Sequence, residues 1–229
     1  MPDFASFAAK LGLKFENQAL LIEALTHRSY LNENRGTVSK HNERLEFLGD
    51  AVLELAVTHF LYFQYPNKQE GELTAYRAAL VNTVSLASLA EKLGVNDYLL
   101  LSKGEAKDTG RARAIILANA FEALLGAVYL DQGYEAAEKF LALNLYPRLA
   151  GVLEQGTWQD AKSRFQEASQ EHRGVTPTYR TISETGPDHA RSFTVGVFLH
   201  AEEIGRGEGK SKQEAEQAAA QNGIDKMGW

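Results

Sequence analysis

Three acidic residues recur within residues 41–50, HNERLEFLGD. Glu43, Glu46 and Asp50 are spaced at i, i+3 and i+7, so a helix presents all three carboxylates on one face. Like charges at this spacing repel each other unless a cation, a proton or an arginine compensates them. A hard divalent metal ion is one natural compensation, and a solvated acidic helix face is the alternative.

A second polar pair stands in the otherwise apolar segment IILANAFEALL, residues 115–125. Asn119 and Glu122 lie three apart, which puts them on one face of a helix. A helix that is apolar nearly all round belongs in a core, where an unpaired carboxylate is costly or takes up a proton. If this helix faces the first acidic segment, their oxygen atoms make a site suited to Mg²⁺ or Mn²⁺. A structural hydrogen bond between Asn119 and Glu122 is the alternative.

Helices must position the residues that carry this chemistry. Residues 1–153 predict an all-α domain, because apolar residues recur every three or four positions. Gly12, Gly94 and Gly133 fall just after such runs, where a left-handed residue commonly ends a helix. Pro147 should kink or restart the last helix. The predicted helices are Phe4–Lys10, Gln18–Thr26, Asn42–Gln64, Gly71–Val81, Thr83–Leu93, Arg113–Leu130 and Tyr134–Leu153.

The remainder of the chain has a different pattern, which predicts a small α+β domain over residues 158–229 after a linker at 154–157. Residues 192–199 alternate apolar and polar side chains, as a half-buried strand does. Ser211 is a candidate N-cap for the last helix, with Glu214 completing a capping box. The predicted α-β-β-β-α order is Asp160–His172, Pro177–Glu184, Ser192–Leu199, Ile204–Gly209 and a helix ending at Met227, with a turn at residues 186–188.

Composition narrows the chemistry and the location. The 229 residues contain no cysteine, which excludes disulfides and thiolate chemistry and agrees with a reducing compartment. The N-terminus lacks the apolar run of a signal peptide, and the most apolar stretch, residues 115–130, is short and interrupted by polar residues. We therefore expect a cytoplasmic protein without a membrane span. The net charge of -6 argues against indiscriminate nucleic-acid binding and leaves room for a local basic face.

These motifs resemble those of bacterial ribonuclease III. HNERLEFLGDAVLEL resembles the family signature, and ILANAFEALLGAVYLD resembles its second acidic motif. The similarity covers nearly the whole chain, including LTHRSY at 25–30, EGELTAYRAALV at 70–81 and LSKGE at 101–105. It implies an all-α endonuclease domain, followed by a double-stranded RNA-binding domain, in a homodimeric and Mg²⁺-dependent enzyme.

The resemblance also implies roles for single residues. Glu46, Asp50, Asn119 and Glu122 fall at the family's metal-binding positions, and Asp50 and Glu122 at its catalytic positions. The family usually has aspartate where this chain has Asn119. An amide oxygen still ligates Mg²⁺ but brings no negative charge, so we expect lower metal affinity.

Other family positions are occupied as well. Glu43 and Glu70 match acidic positions with a supporting role. Phe47 matches an aromatic residue that inserts into the partner subunit, although its spacing alone fits a core residue of one subunit equally well.

The terminal module resembles the double-stranded RNA-binding domain, because GEGKSK at residues 207–212 leads into an alanine-rich helix. Backbone amides and the dipole at a helix N-terminus favour an anionic phosphate. Recognition of this kind reads A-form shape rather than base sequence. Without the resemblance, a solvated helix end is the simpler interpretation of these lysines. The expected RNA-binding residues are Gln166, Glu167, His189, Lys210, Ser211 and Lys212.

The function implied is hydrolysis of double-stranded RNA by metal-activated water, leaving 5′-phosphate and 3′-hydroxyl ends, in rRNA and mRNA processing. The expected cofactor is Mg²⁺, with Mn²⁺ as a substitute. A catalytically weakened RNA-binding protein is the alternative, because of Asn119. A helical metal protein unrelated to RNA is disfavoured by the terminal module and by the absence of a Glu-x-x-His ligand pattern.

Overall fold

The structure is a computed structural model that describes residues 2–34, 36, 38–154, 160–187 and 191–229. The chain divides into two compact units, Met1–Trp158 and Gln159–Trp229. In the described residues the first unit is helical and the second has three strands and two helices, so the predicted fold class is confirmed. The domain limits at 153 and 158 stay predictions. The linker predicted at 154–157 lies outside the described residues except for Glu154.

Nine helices are described in the first unit, together with two short 3₁₀ turns at Val95–Tyr98 and Glu105–Lys107. Gly12, Gly94 and Gly133 have φ values of 70°, 77° and 84°, which confirms the helix stops inferred from sequence. The helices are α1 Phe4–Lys10, α2 Gln18–Ala24, α3 Arg28–Glu33, α4 Glu43–Gln64, α5 Glu70–Val81, α6 Thr83–Lys92, α7 Arg111–Gln132, α8 Tyr134–Asn144 and α9 Arg148–Glu154.

Two parts of this helical unit differ from the prediction. Helix α3 was not predicted, because it has no buried residue and so shows no apolar periodicity. Its N-cap is His27, whose Nδ1 accepts a hydrogen bond from the backbone N–H of Ser29 at 3.3 Å. The single helix predicted over 134–153 is two helices, α8 and α9, with Pro147 immediately before α9. Proline lacks the N–H that a continuous helix needs, so the chain restarts there.

Helix α7 forms the centre of the first unit. Its side chains are buried on nearly all sides, including Leu117, Phe121, Leu124 and Val128, which are fully enclosed. By length and composition α7 is apolar enough to cross a membrane, but its apolar surface is packed against other helices of the unit. Its apolarity is therefore that of a core helix.

Helices α4 and α7 approach each other unusually closely through two glycines. A Cβ atom added to Gly49 on α4 would lie 1.8 Å from the backbone oxygen of Glu122, and one added to Gly126 on α7 would lie 2.3 Å from the backbone oxygen of Leu45. No side chain fits at either position. This contact brings the polar residues of both helices to the same place.

The second unit packs a three-stranded antiparallel sheet, in the order β1-β2-β3, against two helices. Val195, Val197 and Leu199 are buried on one face of β2, as the alternating sequence predicts. Phe165 and Ile224 cover this face from the helices. The elements are α10 Ala161–Arg173, β1 Thr178–Thr185, β2 Ser192–Leu199, β3 Glu202–Gly209 and α11 Lys212–Met227.

Candidate metal centre and nucleic-acid interface

The crossing of α4 and α7 brings together the polar residues that the sequence singled out. Asp50 and Glu46 on α4 lie close enough to Glu122 on α7 for their charges to act on its carboxylate. Glu46, Asn119 and Glu122 are half-buried, whereas Asp50 is exposed. The site is therefore a partly enclosed acidic surface with one side open to solvent.

Asn119 connects the two helices directly. Its side-chain amide donates a hydrogen bond to the carboxylate of Glu46. Among the described residues no hydrogen bond joins Asn119 to Glu122, so the structural pair considered within α7 is not the arrangement found. A donor N–H beside a carboxylate stabilises its charged form.

The site carries negative charge that the protein itself does not compensate. Burial raises the pKa of Glu122 to about 7, and the nearby charges of Asp50, Glu46 and Glu54 add to the shift. Burial also raises the pKa of Glu46, together with the charges of Glu43 and Asp50. In the described part of the chain, no lysine or arginine forms a salt bridge with Glu46, Asp50 or Glu122.

The donor set fits a hard divalent cation in chemistry and charge. Three carboxylates and the amide oxygen of Asn119 are ligands of the kind that Mg²⁺ and Mn²⁺ prefer. Among the described residues, no group of three or more His, Cys, Asp or Glu side chains lies close enough together to hold a metal ion as they stand. The spacing is thus more open than that of a finished coordination shell, although the donor types and the excess charge favour a cation.

Glu43 and Glu70, the two supporting acids predicted from sequence, differ in their relation to the α4–α7 site. Glu43 is exposed and pairs with Arg28 at 3.4 Å and with His41 at 3.8 Å, while its charge still reaches Glu46. Glu70 is exposed at the start of α5 and lines a cavity of about 410 Å³ together with Thr58 of α4 and Arg77 of α5. No described contact or charge effect connects Glu70 to the α4–α7 site.

Sequence reasoning missed Glu54 and Arg77. Glu54 lies one helical turn after Asp50, and its charge also acts on Glu122. Its Oε2 atom lies 2.8 Å from Nε of Arg77 on α5. The i, i+4 continuation from Glu46 through Asp50 to Glu54 was a visible signal for the acid, but nothing in the sequence pointed to its partner.

Phe47 lies on the outside of its own subunit. Its side chain is 81% exposed, and Leu55 and Tyr62 on the same helix are 60% and 66% exposed. Phe47 also borders a cavity of about 600 Å³ with Leu20 and other residues. Phe47 is therefore a surface residue of its own subunit, and the interpretation as a core residue is wrong.

The start of α11 is an N-capped helix terminus flanked by two exposed lysines. Lys210 and Lys212 are exposed on either side of Ser211, whose hydroxyl accepts a hydrogen bond from the N–H of Glu214 at 3.1 Å. The Glu214 carboxylate accepts from the N–H of Lys210 at 2.8 Å, not from that of Ser211. The predicted capping box is thus shifted by one residue at its second bond.

Of the other RNA-binding residues predicted in this unit, Gln166 and Glu167 are described and His189 is not. Gln166 and Glu167 are neighbouring exposed residues on α10. The Nζ atom of Lys212 lies 5.8 Å from the ring centroid of Phe193 on β2, which is a cation–π distance. His189 and the end of the predicted 186–188 turn lie outside the described residues.

Comparison with known families agrees with both units. Residues 17–149 match the family described as Ribonuclease-III-like, and residues 161–227 match the double-stranded RNA binding motif. A protein of Oceanobacillus iheyensis named Ribonuclease 3 is 46% identical over 226 residues, covering 98% of this chain and 98% of its own. One of Anoxybacillus flavithermus with the same name is 45% identical over 227 residues, covering 98% and 94%.

Solved structures support the same relationship for the helical unit. The nuclease domain of ribonuclease III from Campylobacter jejuni is 38% identical, with a TM-score of 0.58, over 65% of this chain and 97% of that one. A second structure of that domain, which concerns flexibility in a region involved in dimer formation, is also 38% identical, with a TM-score of 0.57. It covers 63% of this chain and 99% of that chain. The resemblance first seen in the motifs is therefore confirmed, and the chain belongs to the ribonuclease III family of endoribonucleases.

Proposed function

We propose that this chain cleaves double-stranded RNA at the α4–α7 site with the help of a divalent cation, Mg²⁺ or in its place Mn²⁺. The observation that carries the proposal is the uncompensated carboxylate charge around Glu122, next to the amide of Asn119. The match to the double-stranded RNA binding motif supports a duplex substrate. The products are RNA ends with a 5′-phosphate and a 3′-hydroxyl.

Each residue of the site has a part in this reaction. Glu46, Asp50, Asn119 and Glu122 would hold the cation. When bound, it would supply an activated water as nucleophile and neutralise charge that develops on the leaving oxygen. Without metal, the pKa of the Glu122 carboxylate is raised to about 7, and a cation held beside it would stabilise its charged form. We assign Glu122 a catalytic role as well as a place among the ligands. Asp50, exposed at the open side, is the second catalytic carboxylate.

The RNA-binding unit supplies affinity for the duplex. Lys210 and Lys212 contribute positive charge at the amide-rich start of α11, where a phosphate is favoured. Gln166 and Glu167 offer polar side chains from α10 for ribose hydroxyls, and His189 and Ser211 complete the proposed contacts. Such contacts select A-form shape, which explains specificity for double strands without base reading.

The active form is a homodimer in this proposal. The exposed Phe47 lies beside a cavity on the same surface that is lined by leucines and charged side chains. A twofold axis would let each subunit insert its aromatic ring into the cavity of the other. Dimer formation is also named for the related Campylobacter jejuni domain. A dimer presents two acidic sites, and a duplex has two strands to cut.

The cellular role we propose is cytoplasmic processing of rRNA and mRNA precursors that contain duplex segments. In this proposal the predicted domain 1–153 cleaves the RNA and the predicted domain 158–229 binds it.

The experiment that tests the function uses the purified full chain and a long perfect RNA duplex. With Mg²⁺ we expect short duplex products that carry 5′-phosphates, and a chelator should stop cleavage while RNA binding continues. Binding without cleavage in both Mg²⁺ and Mn²⁺ would exclude the nuclease. It would favour the second candidate, a weakened RNA-binding protein, for which the uncharged Asn119 is the supporting observation.

A further inference from the structure

A fourth carboxylate on α4 lies at the edge of the proposed metal site. Glu54 follows Asp50 by four residues, so it continues the acidic row of α4 by one turn. It is half-buried, and its charge is among those that act on Glu122. An unrestrained carboxylate in this position would add to the negative charge that attracts the cation.

Arg77 holds this carboxylate from the neighbouring helix α5. Its Nε atom lies 2.8 Å from Oε2 of Glu54, and its NH1 atom donates a hydrogen bond to Oγ1 of Thr58 at 2.8 Å. Because Glu54 and Thr58 lie one turn apart on α4, the guanidinium is fixed along that helix at two points. The carboxylate of Glu54 is thereby tied to α5, and its charge is offset where it stands.

We propose that Arg77 is a positioning residue that sets the cation affinity of the α4–α7 site by holding Glu54 against α5 and balancing its charge. This inference rests on the proposed metal site. It concerns two residues outside the ligand set, and it predicts effects of opposite sign for the two halves of one ion pair.

The signs follow from simple electrostatics. Arg77→Gln removes a positive charge near the site and releases an anionic carboxylate, so both changes attract a divalent cation more strongly. Glu54→Gln leaves the guanidinium without its partner, so the site repels the cation more strongly. For single charges a helical turn or two away in a solvent-screened setting, each effect should be roughly three- to tenfold in affinity. Changing both residues to Gln restores the original charge balance.

The test measures Mn²⁺ affinity of the full chain by electron paramagnetic resonance of free Mn²⁺, without RNA. We expect tighter binding in Arg77→Gln, weaker binding in Glu54→Gln, and near wild-type binding in the double variant. Arg77→Lys keeps the charge but loses the two-point hold of the guanidinium, so its affinity should lie between those of the wild type and Arg77→Gln. Lys68→Gln is the matched control, because Lys68 is also a paired cation but its partner is Glu72, at 2.7 Å, rather than a residue of α4.

Each outcome decides between the two proposals. Equal affinities across the Arg77 and Glu54 variants would overturn the role of Arg77 while leaving the metal site intact. An equal increase in Lys68→Gln would also overturn it, since net charge would then explain the effect. Absence of Mn²⁺ binding in the wild type would overturn the metal site and this inference with it. Circular dichroism of each variant checks the fold, and Glu54→Gln provides the opposite-sign test if Arg77→Gln is unstable.

Discussion

The side-chain amide of Asn119 on α7 donates a hydrogen bond to the carboxylate of Glu46 on α4. This bond lowers the pKa of Glu46, against the raising effects of burial and of the neighbouring acids. Asparagine therefore relieves repulsion within the site and gives up one negative charge toward a cation. Stability without metal and affinity for metal are opposed at this residue.

Replacing Asn119 by aspartate should reverse that balance. In Asn119→Asp the added charge should lower the Mg²⁺ concentration for half-maximal cleavage several-fold, and loss of the donor should reduce metal-free stability by about 1 kcal/mol. Mg²⁺ titrations of cleavage and thermal melting with and without Mg²⁺ measure the two effects. Asn119→Ala is the control, since it removes the donor without adding charge and should not tighten metal dependence. Unchanged Mg²⁺ dependence in Asn119→Asp would show that this position is not a sensitive ligand.

The raised pKa of Glu122 predicts how stability depends on pH. A carboxyl group with a higher pKa in the folded state binds more protons there, so its stabilising contribution is complete below its unfolded pKa. That contribution is lost as the pH rises from the ordinary value of 4.5 through about 7. Without metal, we expect the free energy of unfolding to fall across this window by on the order of 1 to 2 kcal/mol, after allowance for solvent screening.

Urea unfolding of metal-free protein at several pH values measures this slope. Glu122→Gln should flatten it, whereas Glu135→Gln, which changes an exposed carboxylate on α8, should not. The explanation fails if the slope survives unchanged in Glu122→Gln.

Phe47 predicts the oligomeric state. Because its 81% exposed ring has no cover within its own subunit, Phe47→Ala should convert a dimer to a monomer at micromolar concentration. Light scattering coupled to gel filtration gives the mass. Phe63→Ala is a suitable control, since Phe63 is also on α4 and 68% exposed. A dimer that persists in Phe47→Ala would remove this residue from the interface.

The lysines at the start of α11 predict the salt dependence of RNA binding. Lys212→Gln should weaken binding to duplexes of any sequence and reduce the slope of log affinity against log salt by roughly one. Fluorescence anisotropy with two unrelated duplexes at several salt concentrations tests both statements. Lys226→Gln, an exposed lysine at the other end of the same helix, should change little. Equal weakening in the two variants would point to net charge rather than to a site.

The elements that sequence predicted well are those with strong periodicity. Helix α7 differs from its prediction by two residues at each end, because its apolar pattern and the following Gly133 leave few alternatives. The strand at Ser192–Leu199 agrees with its prediction at both ends, because apolar and polar residues alternate along it. Helix α3 was missed because it has no fully buried residue, although Tyr30 packs against the core in part, and His27 caps its N-terminus.

The site was predictable as a set of residues but not as a set of contacts. The spacing placed Asn119 and Glu122 on one face of α7, and this shared face suggested a hydrogen bond between the two side chains. Because α4 and α7 approach closely at Gly49 and Gly126, Asn119 instead forms its hydrogen bond with Glu46 on the other helix. Likewise, the ion pair of Glu54 and Arg77 joins two helices. The residue spacing within one helix cannot predict which residue of another helix it contacts.

The most direct test of the central claim is single-turnover cleavage of a long RNA duplex with Mg²⁺, comparing the wild type with Glu122→Gln while RNA affinity is measured for both. If the α4–α7 site performs the reaction, the variant should cleave at least about 100-fold more slowly and bind the duplex equally well. Cleavage by Glu122→Gln at the wild-type rate would contradict the account, because the reaction would then take place elsewhere.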